Sequence, residues 1–256
     1  MKLRARDAAR WVFRAMMTAI PDGAALPVLT GPLRGARWRK HGPFTGYITG
    51  RYEHEVQRAF ARHVHPGDTV YDLGAHHGFY TVLGARFAGP RGRVVACEPN
   101  DRNADQIEAN VAVNRLTDCC AVVRAAVGDR TGTAEFQTFI DPSPTGTLVG
   151  RLVGVRAHQD SALEEVERIW SVEATTVDAL AGRYGPPRVV KCDVEGAESR
   201  VLRGAAHILR AARPVWILSL HNADEEQACS ACLEALGYRV TLVAKVMETV
   251  VLAVPT

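Results

Sequence analysis

Apolar runs alternate with helical patterns along the chain from residue 68 onwards. The runs that predict buried strands in the first half are 69–74, 93–99 and 121–127, and the helical stretches between them are 80–88 and 102–114. Strands that alternate with helices in this way are typical of an α/β protein with a doubly wound, mostly parallel sheet.

The second half of the chain continues the same alternation after a polar interruption. Residues 131–172 form an insertion that contains DPSPTGTLVGRLVG, a stretch whose Pro and Gly residues favour loops. The elements predicted after it are a strand at 188–196, a helix at 198–209, a strand at 214–221, a helix at 223–237 and a closing antiparallel pair at 238–243 and 247–254. We expect the insertion to help shape a substrate pocket.

The chain before this α/β region is expected to form an N-terminal cap. We divide the 256 residues into a helical and hairpin cap at 1–66 and one α/β domain at 67–256. Residues 1–20 predict an amphipathic helix, which either packs on its own domain or makes peripheral membrane contact. Because no run of about 18 apolar residues occurs, neither export nor a membrane span is predicted.

Charge and cysteine content narrow the classes of partner and compartment. The chain has 31 basic and 28 acidic residues, and no basic run interleaves with aromatic residues. A nucleic-acid partner is therefore disfavoured and a small-molecule partner is favoured. The six cysteines follow no disulfide framework, which is typical of the cytoplasm, and the Cys229–Cys232 pair lacks the second pair that a zinc site needs.

The stretch VYDLGAHHGFYT, which begins at Val70, predicts a glycine turn after the first strand of the sheet. Gly74 and Gly78 lack a Cβ and allow a ligand to approach the backbone closely. The dinucleotide pattern GxGxxG, however, requires glycine where this chain has His76 and Phe79. An NAD site is therefore disfavoured.

Two carboxylates beside this turn indicate a different nucleoside cofactor. Glu98 follows the second strand and lies 20 residues after Gly78, where a carboxylate can accept both ribose hydroxyls of an adenosine. Asp72 would repel a pyrophosphate, but it would attract the ammonium and sulfonium groups of S-adenosylmethionine. The residue chemistry therefore favours that methyl donor.

The sequence resembles the FkbM family of S-adenosylmethionine-dependent methyltransferases over most of its length. The matching pieces are GRYEHEV (50–56), HPGDTVYDLGAHHGFYT (65–81), VVACEPN (94–100), AAVGD (125–129), TTVDAL (175–180) and VVKCDVEGAESRVLRGA (189–205). The last piece, a strand carrying KxDxEG followed by a helix, is the most specific. The resemblance implies a class I methyltransferase fold, with seven strands in the order 3-2-1-4-5-7-6 and the last strand antiparallel.

The resemblance also implies which residues bind the methyl donor. Asp72 and Gly74 would line its methionine part, with Gly78 completing the turn, and Glu98 would bind the ribose. The residues expected around the adenine are Pro99, Asn100, Gly128 and Asp129. Glu53 matches a family position near the mouth of the cofactor site.

Candidate catalytic residues follow the fourth and fifth strands of the sheet. Asp193 and Glu195 lie where the fourth strand is expected to face the transferred methyl group, with Lys191 as an ion-pair partner. Helix capping alone would explain Glu198. Asp193 and His221 are the candidate bases, and His221 is equally compatible with an ordinary histidine at a strand end. The family often has a carboxylate where this chain has Ser219, so that role is not transferred.

His76 replaces an Asn that is usual in the family turn. The imidazole either substitutes for Asn in a left-handed backbone conformation or donates a hydrogen bond to the carboxylate of the methyl donor. His77 is interpreted as a bystander. Adjacent histidines in such a turn point apart, so no metal site is predicted there.

The function expected from these features is O-methylation, by direct displacement, of a hydroxyl on a sugar, glycoconjugate or polyketide-type metabolite. The hydroxyl acceptor is what the family resemblance implies, whereas the residues themselves indicate only the donor. An NAD(P)-binding oxidoreductase and a non-catalytic nucleoside-binding subunit are the alternatives. Protein and nitrogen acceptors also remain open.

Overall fold

The computed structural model describes residues 16–42, 45–140, 148–155, 166–245 and 248–256. The strands are β1 Ala25–Pro27, β2 Arg37–Arg39, β3 Thr69–Leu73, β4 Arg93–Cys97, β5 Cys120–Val123, β6 Ala126–Val127, β7 Gly132–Ile140, β8 Leu148–Leu152, β9 Val166–Thr175, β10 Val189–Cys192, β11 Val215–Leu220, β12 Tyr238–Lys245 and β13 Thr249–Pro255. The helices are α1 Gly46–Thr49, α2 His54–His63, α3 Phe79–Ala88, α4 Asp101–Val113, α5 Val177–Tyr184, α6 Glu198–Arg203, α7 Ala206–Ala211 and α8 Ala223–Ala235.

Seven strands form the central sheet, in the order β12-β13-β11-β10-β3-β4-β5. Strands β5, β4, β3, β10 and β11 pair in parallel, and β13 runs antiparallel to both β11 and β12. Numbered along the chain from β3, these strands read 3-2-1-4-5-7-6 from the β5 edge. The doubly wound α/β prediction is confirmed, and the carboxyl ends of β3, β4 and β10 meet at one edge of the sheet.

Both faces of the central sheet are buried, as expected where helices cover a parallel sheet on both sides. Alternate residues of β3 point to opposite faces, so that Val70 belongs to one core and Tyr71 and Leu73 to the other. All six cysteines are free thiols, and Cys229 of the CxxC pair is buried in the second core.

The predicted insertion at 131–172 contributes to a second, smaller sheet rather than to an irregular loop. Its strand order is β6-β9-β7-β8, with β7 antiparallel to both β8 and β9. Phe136 on β7 packs edge-on against Trp170 on β9, with 5.4 Å between the ring centroids. This sheet stands beside the carboxyl ends of the central strands, where it borders the cavity described below.

Three predicted elements differ in the structure: two are divided and one is shorter. The strand expected at 121–127 splits after β5, because β6 pairs with β9 of the second sheet instead of with β4. The strand expected at 188–196 ends at Cys192. The helix expected at 198–209 breaks into α6 and α7 at Gly204, where a Cβ would lie 2.0 Å from the carbonyl oxygen of Gly128.

The N-terminal cap shares a core with the central sheet. It comprises the β1–β2 hairpin, the short helix α1 and helix α2. Trp38 and Phe60 of the cap belong to the same buried cluster as Val70 of β3. The predicted helix at 1–20 lies outside the described residues except for 16–20, where 16–19 are helical. No helix in the described ranges is long and apolar enough to cross a membrane.

Candidate functional site

A cavity of about 620 Å³ lies across the carboxyl ends of β3, β4 and β10. Its floor is the central sheet, and its sides are the segment before α2 and the second sheet. The predicted site residues that line it are Glu53, Asp72, Gly74, His76, Glu98, Pro99, Asp193 and Glu195. The remaining predicted residues, Gly78, Asn100, Gly128, Asp129 and His221, are not among its lining residues.

The two glycines of the turn are required for different reasons. Gly74 has a φ of +76°, and a Cβ there would lie 1.8 Å from the backbone oxygen of Asp193. Gly78 has a φ of +82°, and a Cβ there would lie 3.0 Å from Cγ2 of Ile107. Gly74 therefore allows the turn to approach the loop after β10, whereas Gly78 allows helix α3 to begin against α4.

Three N–H groups donate hydrogen bonds to the Glu98 carboxylate beside the glycine turn. Its oxygens accept hydrogen bonds from the backbone amides of His76 (2.9 Å) and Asn100 (3.0 Å) and from the side-chain amide of Asn103 (3.4 Å). Burial nevertheless raises the pKa of Glu98 to about 7, because the lost hydration outweighs these hydrogen bonds. Glu98 is thus a fixed and buried acceptor that faces the cavity.

Asp72 is a second buried carboxylate in the same crevice. It accepts a hydrogen bond of 2.6 Å from the Thr81 hydroxyl on α3. Burial raises its pKa to about 6, although Thr81 and nearby Lys191 act in the opposite direction. A ligand cation in the cavity would therefore favour the ionised form of Asp72.

His76 adopts the left-handed conformation, with a φ of +50°. Its ring stacks on His77 with 3.9 Å between centroids, so the expectation that the two histidines point apart is wrong, and its Nδ1 lies 3.3 Å from the Tyr47 hydroxyl. His77 is buried, and its carbonyl accepts a hydrogen bond from Asn110. His76 thus has the backbone conformation expected of an Asn substitute, and its contact with a methyl donor remains a prediction.

The segment after β5 lines two separate surfaces. The residues that line the cavity after β5 are Ala125, Ala126 and Val127. Gly128 and Asp129 line a separate depression, because β6 carries the chain away with the second sheet, and Asp129 lies 3.4 Å from the Arg203 guanidinium. Asn100 instead caps helix α4 by accepting a hydrogen bond from the Arg102 amide.

An aromatic wall faces the crevice from the cap and α3, and the sequence prediction missed it. Its members are Tyr47, Tyr52, Phe79 and Tyr80. The Tyr80 hydroxyl donates a hydrogen bond of 2.7 Å to Glu53, and burial raises the pKa of Tyr80 well above its usual range. The only signal in the sequence was the clustering of these aromatic residues around Glu53 and the glycine turn.

Lys191, Asp193 and Ser219 form a buried polar triad at the other end of the cavity. The Lys191 ammonium donates to Asp193 Oδ2 (2.9 Å) and to Ser219 Oγ (2.9 Å), and Ser219 donates to the same Asp193 oxygen (3.2 Å). Burial would raise the pKa of Asp193, but Lys191 and His221 together lower it below its usual value. Asp193 is therefore an ionised carboxylate with one oxygen fixed by the triad.

His221 lies behind Asp193 rather than in the cavity wall. Its Nδ1 is 3.0 Å from Glu198 Oε1, and its Nε2 faces Asp193 and Glu195 at 3.4 Å each. Burial opposes ionisation of the ring, but Glu195 and Glu198 raise the pKa of His221 well above its usual range. His221 does not line the cavity, and its predicted role as a base stays a prediction.

Two further carboxylates complete this acidic cluster, which we define as Asp193, Glu195, Glu198 and Glu248. Glu195 has a φ of +56°, a left-handed conformation that is costly for a residue with a side chain. Glu248, which precedes β13, lies 3.6 Å from His221 Nε2 and was not predicted. Burial raises the pKa of Glu195 and of Glu248 to about 7.

A solved structure shares this fold at low sequence identity. Methyltransferase FkbM from Methylobacillus flagellatus KT is 14% identical, with a TM-score of 0.53, over 77% of this chain and 50% of that protein. This chain thus spans about half the length of that relative. An S-adenosylmethionine-dependent O-methyltransferase from Thermotoga maritima is 13% identical, with a TM-score of 0.49, over 94% of this chain and 81% of that one.

Sequence comparison identifies the family. No curated protein matches the chain by sequence. The family profile for the methyltransferase FkbM domain matches residues 72–242, a segment that begins at Asp72 in the donor crevice and includes both Glu98 and the acidic loop after β10. The chain therefore belongs to the FkbM methyltransferase family and has the class I methyltransferase fold.

Proposed function

We propose that this protein transfers the methyl group of S-adenosylmethionine to a hydroxyl of a small acceptor, namely a sugar, a glycoconjugate or a polyketide-type metabolite. One observation carries the proposal. One cavity is lined by Gly74 and Glu98 after β3 and β4 and by Asp193 after β10. Direct displacement requires donor and acceptor side by side in one site, and this cavity provides that arrangement.

The donor half of the cavity fits S-adenosylmethionine. The Glu98 carboxylate is fixed where it can accept ribose hydroxyls, and Asp72 supplies negative charge for the methionine part. Ala125, Ala126 and Val127 offer an apolar surface for the adenine. When bound, the donor supplies a methyl group that its sulfonium has already activated.

The acceptor half favours a compact organic molecule. Its walls include the aromatic residues Tyr47 and Tyr52 of the cap. Apolar walls with a few convergent polar groups are typical of small-molecule sites. The carboxylates of Glu53, Asp193 and Glu248 would repel a phosphate backbone, so nucleic acid remains the disfavoured acceptor.

Asp193 is the group that we assign to the acceptor proton. The oxygen of the acceptor hydroxyl forms a bond to the methyl carbon, and the carbon–sulfur bond breaks with its electron pair remaining on sulfur. The hydroxyl proton passes to the Asp193 carboxylate. Lys191 and Ser219 hold that carboxylate in place, so that positioning, rather than strong basicity, is its contribution.

Methyl transfer from isotopically labelled donor to a panel of hydroxyl acceptors tests the proposal. With an accepted substrate, Asp193→Asn should keep the donor Kd within about threefold and lower turnover by about a hundredfold or more. The control Asp118→Asn changes an exposed acid outside the cavity and should leave both quantities unchanged. Normal turnover in the Asp193 variant would remove Asp193 from the mechanism.

The same assay separates the alternatives. Label transferred only to amines or to protein would replace the hydroxyl acceptor while keeping the methyltransferase. Donor binding without transfer to any extract component would favour a non-catalytic nucleoside-binding subunit. Preferential binding of NAD would favour an oxidoreductase.

A further inference from the structure

Three carboxylate oxygens surround one nitrogen of a buried histidine at the acceptor end. His221 Nε2 lies 3.4 Å from Asp193 Oδ1, 3.4 Å from Glu195 Oε2 and 3.6 Å from Glu248 Oε2, and only 5% of the His221 side chain is exposed. All three distances exceed the usual range for an N–H···O hydrogen bond, about 2.7–3.2 Å. The nitrogen therefore points at three oxygens without hydrogen-bonding to any of them.

The other ring nitrogen of His221 is anchored from behind. Nδ1 lies 3.0 Å from Glu198 Oε1, and this oxygen also accepts hydrogen bonds from the backbone amides of Val194 (3.2 Å) and Gly196 (3.1 Å). A carboxylate on Nδ1 fixes the ring orientation and places the proton on that nitrogen, as in carboxylate–histidine–metal arrangements. In the neutral ring with its proton on Nδ1, the Nε2 lone pair faces the three oxygens, an arrangement that suits a cation between them.

The spacing of these atoms suits a metal ion at their centre. Ligands about 2.1 Å from a tetrahedral ion lie about 3.4 Å from one another. The ligand atoms of Asp193, Glu195 and His221 all lie within 4.8 Å of one another, and the two nitrogen–oxygen separations among them are 3.4 Å. A proton on Nε2 would instead be expected to draw one oxygen to hydrogen-bonding distance.

The negative charge of the acidic cluster also favours a bound cation. Asp193, Glu195 and Glu248 face Nε2, and Lys191 is the cation paired with Asp193. Lys191 binds Asp193 Oδ2, which leaves Oδ1 directed at the histidine. A divalent ion would offset the remaining negative charge without displacing the lysine.

We infer that His221 Nε2, Asp193 Oδ1 and Glu195 Oε2 bind a divalent cation such as Mn²⁺ or Zn²⁺, with Glu248 beside this site. Imidazole nitrogen combined with carboxylate oxygen suits these ions. Asp193, Glu195 and Glu248 line the cavity, so the ion would be accessible to an acceptor oxygen. This inference rests on the proposed function only for the role of the ion, which is to hold that oxygen beside the donor.

The cation site is not evident in the sequence. His221 follows β11, Glu248 precedes β13, and Asp193 and Glu195 follow β10. Asp193 and Glu195 are close together in the sequence, but His221 and Glu248 come from later segments, so the set lacks the short, regular spacing by which metal motifs are usually found. The pairing of β10 with β11 and of β11 with β13 brings the four residues together.

Titration of the metal-free full-length protein with Mn²⁺, followed by electron paramagnetic resonance, tests the inference without donor or acceptor. We expect one tightly bound Mn²⁺ per chain, displaced by Zn²⁺. His221→Ala and Glu195→Gln should each weaken Mn²⁺ binding by at least about tenfold. His207→Ala, which removes an exposed histidine, should leave Mn²⁺ binding unchanged.

Calorimetric binding of S-adenosylmethionine to the same variants separates a lost ligand from a lost fold. A variant that no longer binds Mn²⁺ but still binds the donor would support the inference. If His221→Ala is unfolded, weaker Mn²⁺ binding by a folded Glu195→Gln would support it instead. Wild-type protein that binds neither ion, or variants that bind Mn²⁺ as wild type does, would overturn it. Methyl transfer that persists in excess chelator would refute the role of the ion and leave the proposed function standing.

Discussion

The two ends of the cavity are built in different ways. At the donor end, the backbone amides of His76 and Asn100 hold Glu98. His76 lies within the glycine turn, and Asn100 lies two residues after Glu98. At the acceptor end, side chains from separate elements hold one another, as Lys191 and Ser219 hold Asp193. One end depends on backbone conformation, and the other depends on the charges of its side chains.

This difference determines what each end tolerates. A side chain in the donor turn can change if the replacement keeps the backbone conformation and the amide donors. A charged side chain in the acidic cluster has several charged neighbours, so its removal leaves buried partners uncompensated. The predictions below test this contrast, beginning with the contact at which the two ends meet.

Gly74→Ala should produce the largest effect. The added Cβ would lie 1.8 Å from the Asp193 backbone oxygen at a φ of +76°, so both the turn and the acidic loop must move. We expect a loss of at least about 3 kcal/mol in the free energy of unfolding, measured by urea denaturation.

Gly182→Ala is the matched control for this substitution. Gly182 lies within α5, and a Cβ there would meet nothing within 4 Å. Ala at this position should stabilise the protein by about 0.5–1 kcal/mol, because glycine is a poor helix former. Equal effects of the two substitutions would show that the close approach at Gly74 is not required.

Glu98→Gln should weaken donor binding by about ten- to a hundredfold, or about 1.4–2.7 kcal/mol. The new amide would turn N–H groups towards the amide donors of His76 and Asn100, which now converge on a carboxylate. Calorimetry with S-adenosylmethionine measures the change. Glu108→Gln, at an exposed residue of α4 that pairs with Arg124, should bind the donor as wild type does.

The pH dependence of Glu98 provides a smaller test. Its pKa is raised from 4.5 to about 7, so the ligand-free folded state binds the proton more tightly than the unfolded state. The stability of wild type relative to Glu98→Gln should therefore fall as the pH rises from about 4.5 to about 7. Over the same interval the donor affinity of wild type relative to the variant should increase, because the carboxylate becomes ionised.

Urea denaturation and calorimetry at several pH values measure both quantities. A wild type that gains stability over the variant across this interval would show that the Glu98 carboxyl is not buried as described. If the stability and the donor affinity of wild type both fell relative to the variant over this interval, Glu98 would not contribute to donor binding.

His76→Asn should have the smallest effect, with donor affinity within about threefold of wild type. Asn tolerates the left-handed conformation of residue 76, and the backbone amide that binds Glu98 is kept. A tenfold loss, about 1.4 kcal/mol, would show that the imidazole makes its own contact with the donor.

The donor end was predictable from sequence because its geometry is local. Asp72, Gly74 and Glu98 follow two adjacent parallel strands, so their place at the sheet edge follows from strand order and the glycine turn. Gly128 and Asp129 line a separate depression, and their role stays a prediction; the apolar run at 121–127 carries no sign that its second half joins another sheet.

The acceptor end was only partly predictable. Asp193 and Glu195 are conspicuous because they are acidic residues directly after an apolar strand. Glu248 and the aromatic residue Tyr52 come from the two ends of the chain, and only tertiary packing brings them to the cavity. The group of carboxylates around His221 likewise depends on contacts between distant segments.

Calorimetric titration of the wild-type protein with S-adenosylmethionine and, separately, with NAD is the most direct test of the donor site. We expect one molecule of S-adenosylmethionine to bind per chain, with NAD binding at least about a hundredfold more weakly, because Asp72 and Glu98 suit a cationic nucleoside and not a pyrophosphate. Absence of S-adenosylmethionine binding, or equal affinity for NAD, would contradict the proposed methyl-donor site.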